Sequence, residues 1–187
     1  MSKYYKLTDA NGRTKNDTQW GEGVTHKATG RGAGLCSPDV IHVYDHPLKA
    51  VLFNPIHADF DKPILWECKV KKVVAGDSNK VGVKVCTTTK IIPAPKITKN
   101  QLVRFAILCA KEVYTETRWV NWANHWLTGE DRSRGSAYAA YHAADVAAGN
   151  ASYAANASYA ANVAADVAYS DIDVVALLKK AIKDEPA

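Results

Sequence analysis

The chain has 187 residues, 47% of them hydrophobic and 23% charged, at a formal net charge of +5; this is the composition of a folded protein with a real core, arranged as one large domain or two small ones, and it excludes a disordered polyelectrolyte. Charge is divided unevenly, with 21 Lys+Arg against 13 Asp+Glu in residues 1–135 (net +8) and 3 against 6 in residues 136–187 (net −3). A basic front and an acidic tail fit either a surface that faces a polyanion or two modules with different solvated faces.

In chain order, Lys3 to Leu7 has strand composition and Asp9-Ala-Asn-Gly12 after it is a turn signal. Residues 13–34 are polar and glycine-dotted, with Trp20 the one large apolar side chain, and predict a loop. Gly30-Arg-Gly-Ala-Gly34 has the glycine content of a phosphate cradle, yet it lacks the Gly-Lys-Ser/Thr ending and opens no helix. Leu35 to Asn54 is the densest patch of chemically capable side chains. Val40 to Tyr44 predicts a short buried strand, and Asp45 or His46 before Pro47 predicts the start of a helix over Leu48 to Phe53. His42 and His46 then sit at opposite ends of a turn. Their spacing matches a helical metal pair only if both lie on one helix, which Pro47 opposes, so structural histidines are expected.

Residues 63–72 predict a half-buried strand with Trp66, Cys68 and Val70 on one face, Ala75 to Asn79 a turn, and Val81 to Ile92 a second strand. Pro93-Ala-Pro95 ends the sheet and sets a boundary between a front module, 1–95, and a back module, 96–187. Thr98 or Asn100 caps a helix carrying Leu102, Phe105, Ala106, Cys109 and Val113. A second helix carries Trp119, Trp122, Ala123, Trp126 and Leu127 as core and stops at Gly129. Ser136 to Ser170 is alanine-rich and helical by propensity, with a break expected at Gly149-Asn150 that folds it into a hairpin. A last helix is predicted from Ser170, with Asp173 at the capping-box position and Val174, Leu177, Leu178 and Ile182 buried.

Cys36, Cys68, Cys86 and Cys109 form no Cys-x-x-Cys pair, so neither a zinc ribbon nor a redox motif is spelled, and free thiols without metal are expected. Cys36 with His42 is the pair whose spacing leaves room for an exception. The first residues lack the apolar run of a secretory signal, and polar residues interrupt the alanine tract, so a cytoplasmic protein with no membrane span is expected.

Cys36, His42, Pro47 and Leu48, with the hairpin Asp77-Ser-Asn-Lys-Val-Gly-Val-Lys84 and the later Ile-Thr-x-x-x-Leu-Val at 97–103, resemble a domain of unknown function common in phage and bacterial proteins. Val40 and Ile41 replace that pattern's glycine and phenylalanine. Cys109-Ala-Lys-Glu-Val, Trp122-Ala-Asn-His-Trp-Leu-Thr-Gly-Glu130 and Ala139-Ala-Tyr-His-Ala-Ala144 resemble alanine-rich helical proteins that carry an immunity-protein label. Neither resemblance implies a reaction.

These readings predict an α+β chain, a mainly β N-terminal module packed on an α-helical, alanine-rich C-terminal bundle. The expected function is that of a non-enzymatic phage or bacterial accessory protein that binds a host macromolecule, in the host cytoplasm if phage-encoded, without cofactor. A host protein is preferred to nucleic acid as partner. The candidate binding residues are His42, Tyr44, Asp45 and His46, with Lys27 and Arg31 as charges. Two alternatives are an enzyme acting on a nucleotide or phosphorylated ligand through His42 to His46, and a structural oligomer built through the alanine-rich helices.

Overall fold

The computed structural model describes residues 3–35, 37–77, 79–113, 115–133 and 173–184. Cys36, the alanine tract and its expected break at Gly149-Asn150 lie outside them. The elements are β1 (Tyr4–Thr8), β2 (Arg13–Thr14), β3 (Thr18–Gln19), β4 (Thr25–Lys27), β5 (Ile41–Val43), α1 (Pro47–Leu52), α2 (Asn54–His57), β6 (Ile64–Gly76), β7 (Val81–Ile92), α3 (Lys99–Val113), α4 (Thr117–Thr128) and α5 (Val174–Lys183). The architecture is α+β, with a mainly antiparallel sheet in the N-terminal part and helices after it. Two compact units divide the chain, Met1–Lys96 and Ile97–Ala187.

The first unit is organised on the β6–β7 hairpin, whose β-branched and alternating residues favour long strands. β6 runs on to Gly76, so the turn is shorter than the sequence predicts: Asp77 Oδ1 accepts from the N–H groups of Asn79 and Lys80, both at 2.8 Å. β1 pairs with β6, while β4 and β5 pair end to end along the other edge of β7. Beyond β5, Tyr44 and Tyr5 of β1 exchange both backbone hydrogen bonds at 2.8 Å. The strands therefore close into a ring, β1–β6–β7–β5–β1, and the two outer edges protect one another.

Trp20, Val43, Trp66, Cys68, Val83 and Cys86 form one buried cluster. Trp20 enters from the segment expected to be loop; two-residue strands β2 and β3 present it, and its indole N–H donates to Thr14 Oγ1 at 2.9 Å. Lys6 is also interior, 8% exposed. Its Nζ donates to the His42 carbonyl at 3.1 Å and lies 4.7 Å from the Trp20 ring centroid, and burial lowers its pKa.

In the second unit α3 packs against both α4 and α5. Ile107, Trp119, Ala123 and Trp126 form its buried cluster, so two of the three tryptophans of α4 are core and Trp122 is half-buried beside them. Thr98 caps α3, accepting from Gln101 N–H at 3.1 Å, and Gly129 ends α4 at φ 86°, the left-handed conformation that suits glycine. Arg104, 4% exposed, donates from Nη1 to the Leu127 carbonyl at 2.6 Å and from Nε to the Ala181 carbonyl at 3.3 Å, joining α3 to the ends of both neighbours. The last helix begins later than its predicted start at Ser170. Asp173 is the N-cap, its carboxylate accepting from Ala176 N–H at 3.0 Å, because an aspartate with non-helical backbone at this position satisfies a first-turn N–H group directly. Val174, Leu178 and Ala181 are its buried residues, while Leu177 and Ile182 are half-buried.

Candidate functional site

The junction from β5 into α1 places each sequence candidate differently. His42 lies opposite Gly82 of β7, and its Nε2 is hydrogen-bonded to the Leu35 carbonyl. A carbonyl only accepts, so Nε2 carries the proton. Burial, reinforced by the charges of Lys80 and Lys6, brings His42 down to about 4 and keeps the ring neutral at pH 7. His46 is the N-cap of α1: its Nδ1 accepts from Leu48 N–H at 3.1 Å, with Pro47 in the first turn, where its missing N–H costs nothing. Asp45 pairs with Lys49 one turn on, at 3.0 Å. Tyr44 is buried, and its hydroxyl is 3.1 Å from Nδ1 of His57.

His57, on the short helix α2, is the residue that the sequence reading missed. Its ring stacks on Tyr44 at 6.0 Å and on Phe53 at 5.5 Å, and burial together with the Lys80 charge pushes it down to about 4. Burial raises the Tyr44 hydroxyl well above the usual phenol range, so it donates a hydrogen bond rather than ionising. Lys80, in the β6–β7 turn, acts on both His42 and His57, and Asp77 partly offsets it. Beside Lys80, Asn79 is 7% exposed and its Oδ1 has no hydrogen-bond partner. The structure thus groups His42, Tyr44, His57 and Lys80, while Asp45 and His46 serve α1. The signal for α2 was present in Asn54-Pro55, a proline at a helix start, but four residues are too few to show a period.

Lys27 and Arg31 are exposed, on β4 and in the loop after it, and make no side-chain hydrogen bond or ion pair among the described residues. The glycine loop around Arg31 is filled from within. Asp39 Oδ1 accepts from Gly32 N–H at 2.9 Å and Oδ2 from Gly34 N–H at 3.3 Å. Lys84 Nζ donates to the carbonyls of Gly30 at 3.2 Å and Asp39 at 2.6 Å. The Ser37 hydrogen bond, then the Gly32 N–H, hold Asp39 below the usual carboxylate range. Backbone N–H groups that would cradle a phosphate already hold a carboxylate, whose charge would repel one.

Cys68, Cys86 and Cys109 are buried free thiols. Hydrogen bonding to Cys86 and burial hold Cys68 far above the ordinary thiol range, and burial pushes Cys109 up to about 12. Among the described residues no group of three or more His, Cys, Asp and Glu side chains is placed to hold a metal ion, and no helix is long and apolar enough to cross a membrane. No protein-family model matches the chain, and neither a curated protein nor a solved structure matches it.

Proposed function

We propose that the chain is a non-enzymatic accessory protein that acts by binding a host macromolecule in the host cytoplasm. The observation that supports this reading is the use of the two candidate histidines as architecture. His42 spends its Nε2–H on the Leu35 carbonyl, and His46 spends Nδ1 on the first turn of α1. Both rings are thereby fixed by backbone groups of the fold, and these bonds align neither of them on a nucleophile. The phage or bacterial setting rests on the resemblance of Cys36 to Phe53 and of residues 77–103. The helical bundle and any oligomer built on it rest on the alanine content of Ser136 to Ser170.

A second reading, an enzyme acting on a nucleotide or phosphorylated ligand, is favoured by one contact, Tyr44 Oη to His57 Nδ1 at 3.1 Å. With the hydroxyl donating to Nδ1, the neutral ring of His57 would present Nε2–H near the Lys80 charge, a donor pair for an anionic ligand.

Phosphate release separates the two, and the double substitution His42→Ala/His46→Ala tests the structural role of the candidate histidines. Loss of a cap and of a buried hydrogen bond costs about 2 kcal/mol, roughly 4–8 °C in Tm for a chain of this size. The binding reading expects that fall, and phosphate release from ATP or p-nitrophenyl phosphate at the buffer rate for the unaltered chain. Turnover that His57→Asn abolishes would replace it with the second reading.

A further inference from the structure

The outer face of the sheet carries charge that the fold does not use. Successive residues of a strand face opposite sides, so Lys69 and Lys71 lie on the side away from the interior lined by Cys68 and its neighbour Val70. The register carries this face across three strands: Thr25, Thr87 and Lys69 make one row, and Lys27, Val85 and Lys71 the next. Thr25 and Thr87 share a hydrogen bond between their hydroxyls at 2.8 Å. Lys27, Lys69 and Lys71 are exposed and make no side-chain hydrogen bond or ion pair among the described residues. Glu67, the acid on the same face of β6, is shared by Lys3 at 3.8 Å and Lys90 at 3.7 Å, so its charge is already met. Residues 1–96 as a whole hold 15 Lys+Arg and 9 Asp+Glu, net +6.

We infer that this face binds the phosphate backbone of duplex nucleic acid without reading its sequence, an inference that rests on the chain being a binder rather than a catalyst. Strand geometry sets Lys69 and Lys71 about 6.8 Å apart along β6, and Lys27 and Lys71 about 9.6 Å apart across two strand spacings. Three separate ammonium groups on so small a patch match a duplex, which presents one phosphate charge per about 1.7 Å of axis. Lysine and threonine are phosphate-contacting side chains. A protein partner would need a buried aromatic or apolar anchor, and lysine is depleted in such interfaces; these two rows hold only half-buried Val85. They hold no aromatic ring on which the bases of a single strand would stack.

The test is binding of a fluorescent duplex to the full chain, by anisotropy, from about 50 to 200 mM salt. Three phosphate contacts give a slope of log K against log salt of about −2.7, an affinity loss of about 40-fold over that range. Lys69→Gln/Lys71→Gln leaves one contact, so the slope falls to about −0.9 and the loss to about 3-fold, with Tm unchanged. Lys15→Gln/Lys62→Gln, which removes the same charge from exposed positions outside β4, β6 and β7, leaves the slope near its original value. A slope unchanged in the Lys69/Lys71 variant, or no duplex binding at the lowest salt, overturns the inference. Polyglutamate bound as tightly as duplex also overturns it but leaves the binding reading standing. Phosphate release without duplex binding overturns both.

Discussion

Acid should loosen the first unit in a window set by two histidines. His42 and His57 each fall to about 4 in the fold, against about 6.5 for an unfolded imidazole. Between those values the unfolded chain binds more protons than the folded one, so stability rises with pH across the window. It is fully present above about 6.5 and is lost as pH falls towards 4. A fully shielded ring would lose about 3.4 kcal/mol; both rings are partly exposed, and solvent screening brings this to about 1–2 kcal/mol each, about 2–4 kcal/mol together. The groups acting on the two rings are the Lys80 and Lys6 ammoniums, the Asp77 carboxylate and, on His42, the ring of His57. Asp39, with its pKa lowered, titrates below this window. Hydrogen exchange of the β6 and β7 amides, corrected for its intrinsic pH dependence, reports on this unit alone. Protection should fall from pH 6.5 to 4.5 in the unaltered chain and change much less in His42→Gln/His57→Asn, where both side chains keep hydrogen-bonding capacity but cannot titrate. Equal protection at the two pH values, or the same loss in the variant, would refute the assignment of neutral, desolvated rings.

Gly30→Ala should destabilise the first unit by roughly 2 kcal/mol or more, read by thermal unfolding, because a Cβ there would lie 2.1 Å from Asp39 Oδ1 and 2.8 Å from its Cα. Arg104→Ala should cost about 2–4 kcal/mol and release α5, since it strips charged donors from the Leu127 and Ala181 carbonyls; exchange of residues 174–184 measures it, and Arg104→Lys should recover part of the loss. In a Cys36→Ser background the native chain should react with a disulfide thiol reagent only after denaturant is added, because Cys68, Cys86 and Cys109 are buried.

Local signals made part of this fold readable. Proline in the first turn fixed the start of α1, alternation around Trp66 and Cys68 fixed β6, and the glycine after Thr128 fixed the end of α4. What could not be read depends on contacts between distant residues. Closure of the sheet through Tyr5 and Tyr44 leaves no periodic trace, and without it residues 13–34 read as loop although they deliver Trp20 to the core. Lys6 violates the expected polar-outside pattern because an aromatic ring and a carbonyl receive its ammonium. The candidate site was legible in composition and not in use: the histidines sat where the strand-to-helix junction was predicted, yet only three-dimensional placement shows which backbone groups occupy their nitrogens. Lys69 and Lys71 were visible as alternate residues of a strand, whereas their alignment with Lys27 required the register.

The most direct test of the account maps where a partner touches. Amide shifts of the isotopically labelled chain, followed by NMR as a duplex is added, should move along Thr25–Lys27, Lys69–Lys72 and Val85–Thr87 and stay still at Tyr44, His46 and His57. Shifts concentrated at His42, Tyr44, His57 and Lys80, with the lysine rows unaffected, would contradict it and return the function to the histidine cluster.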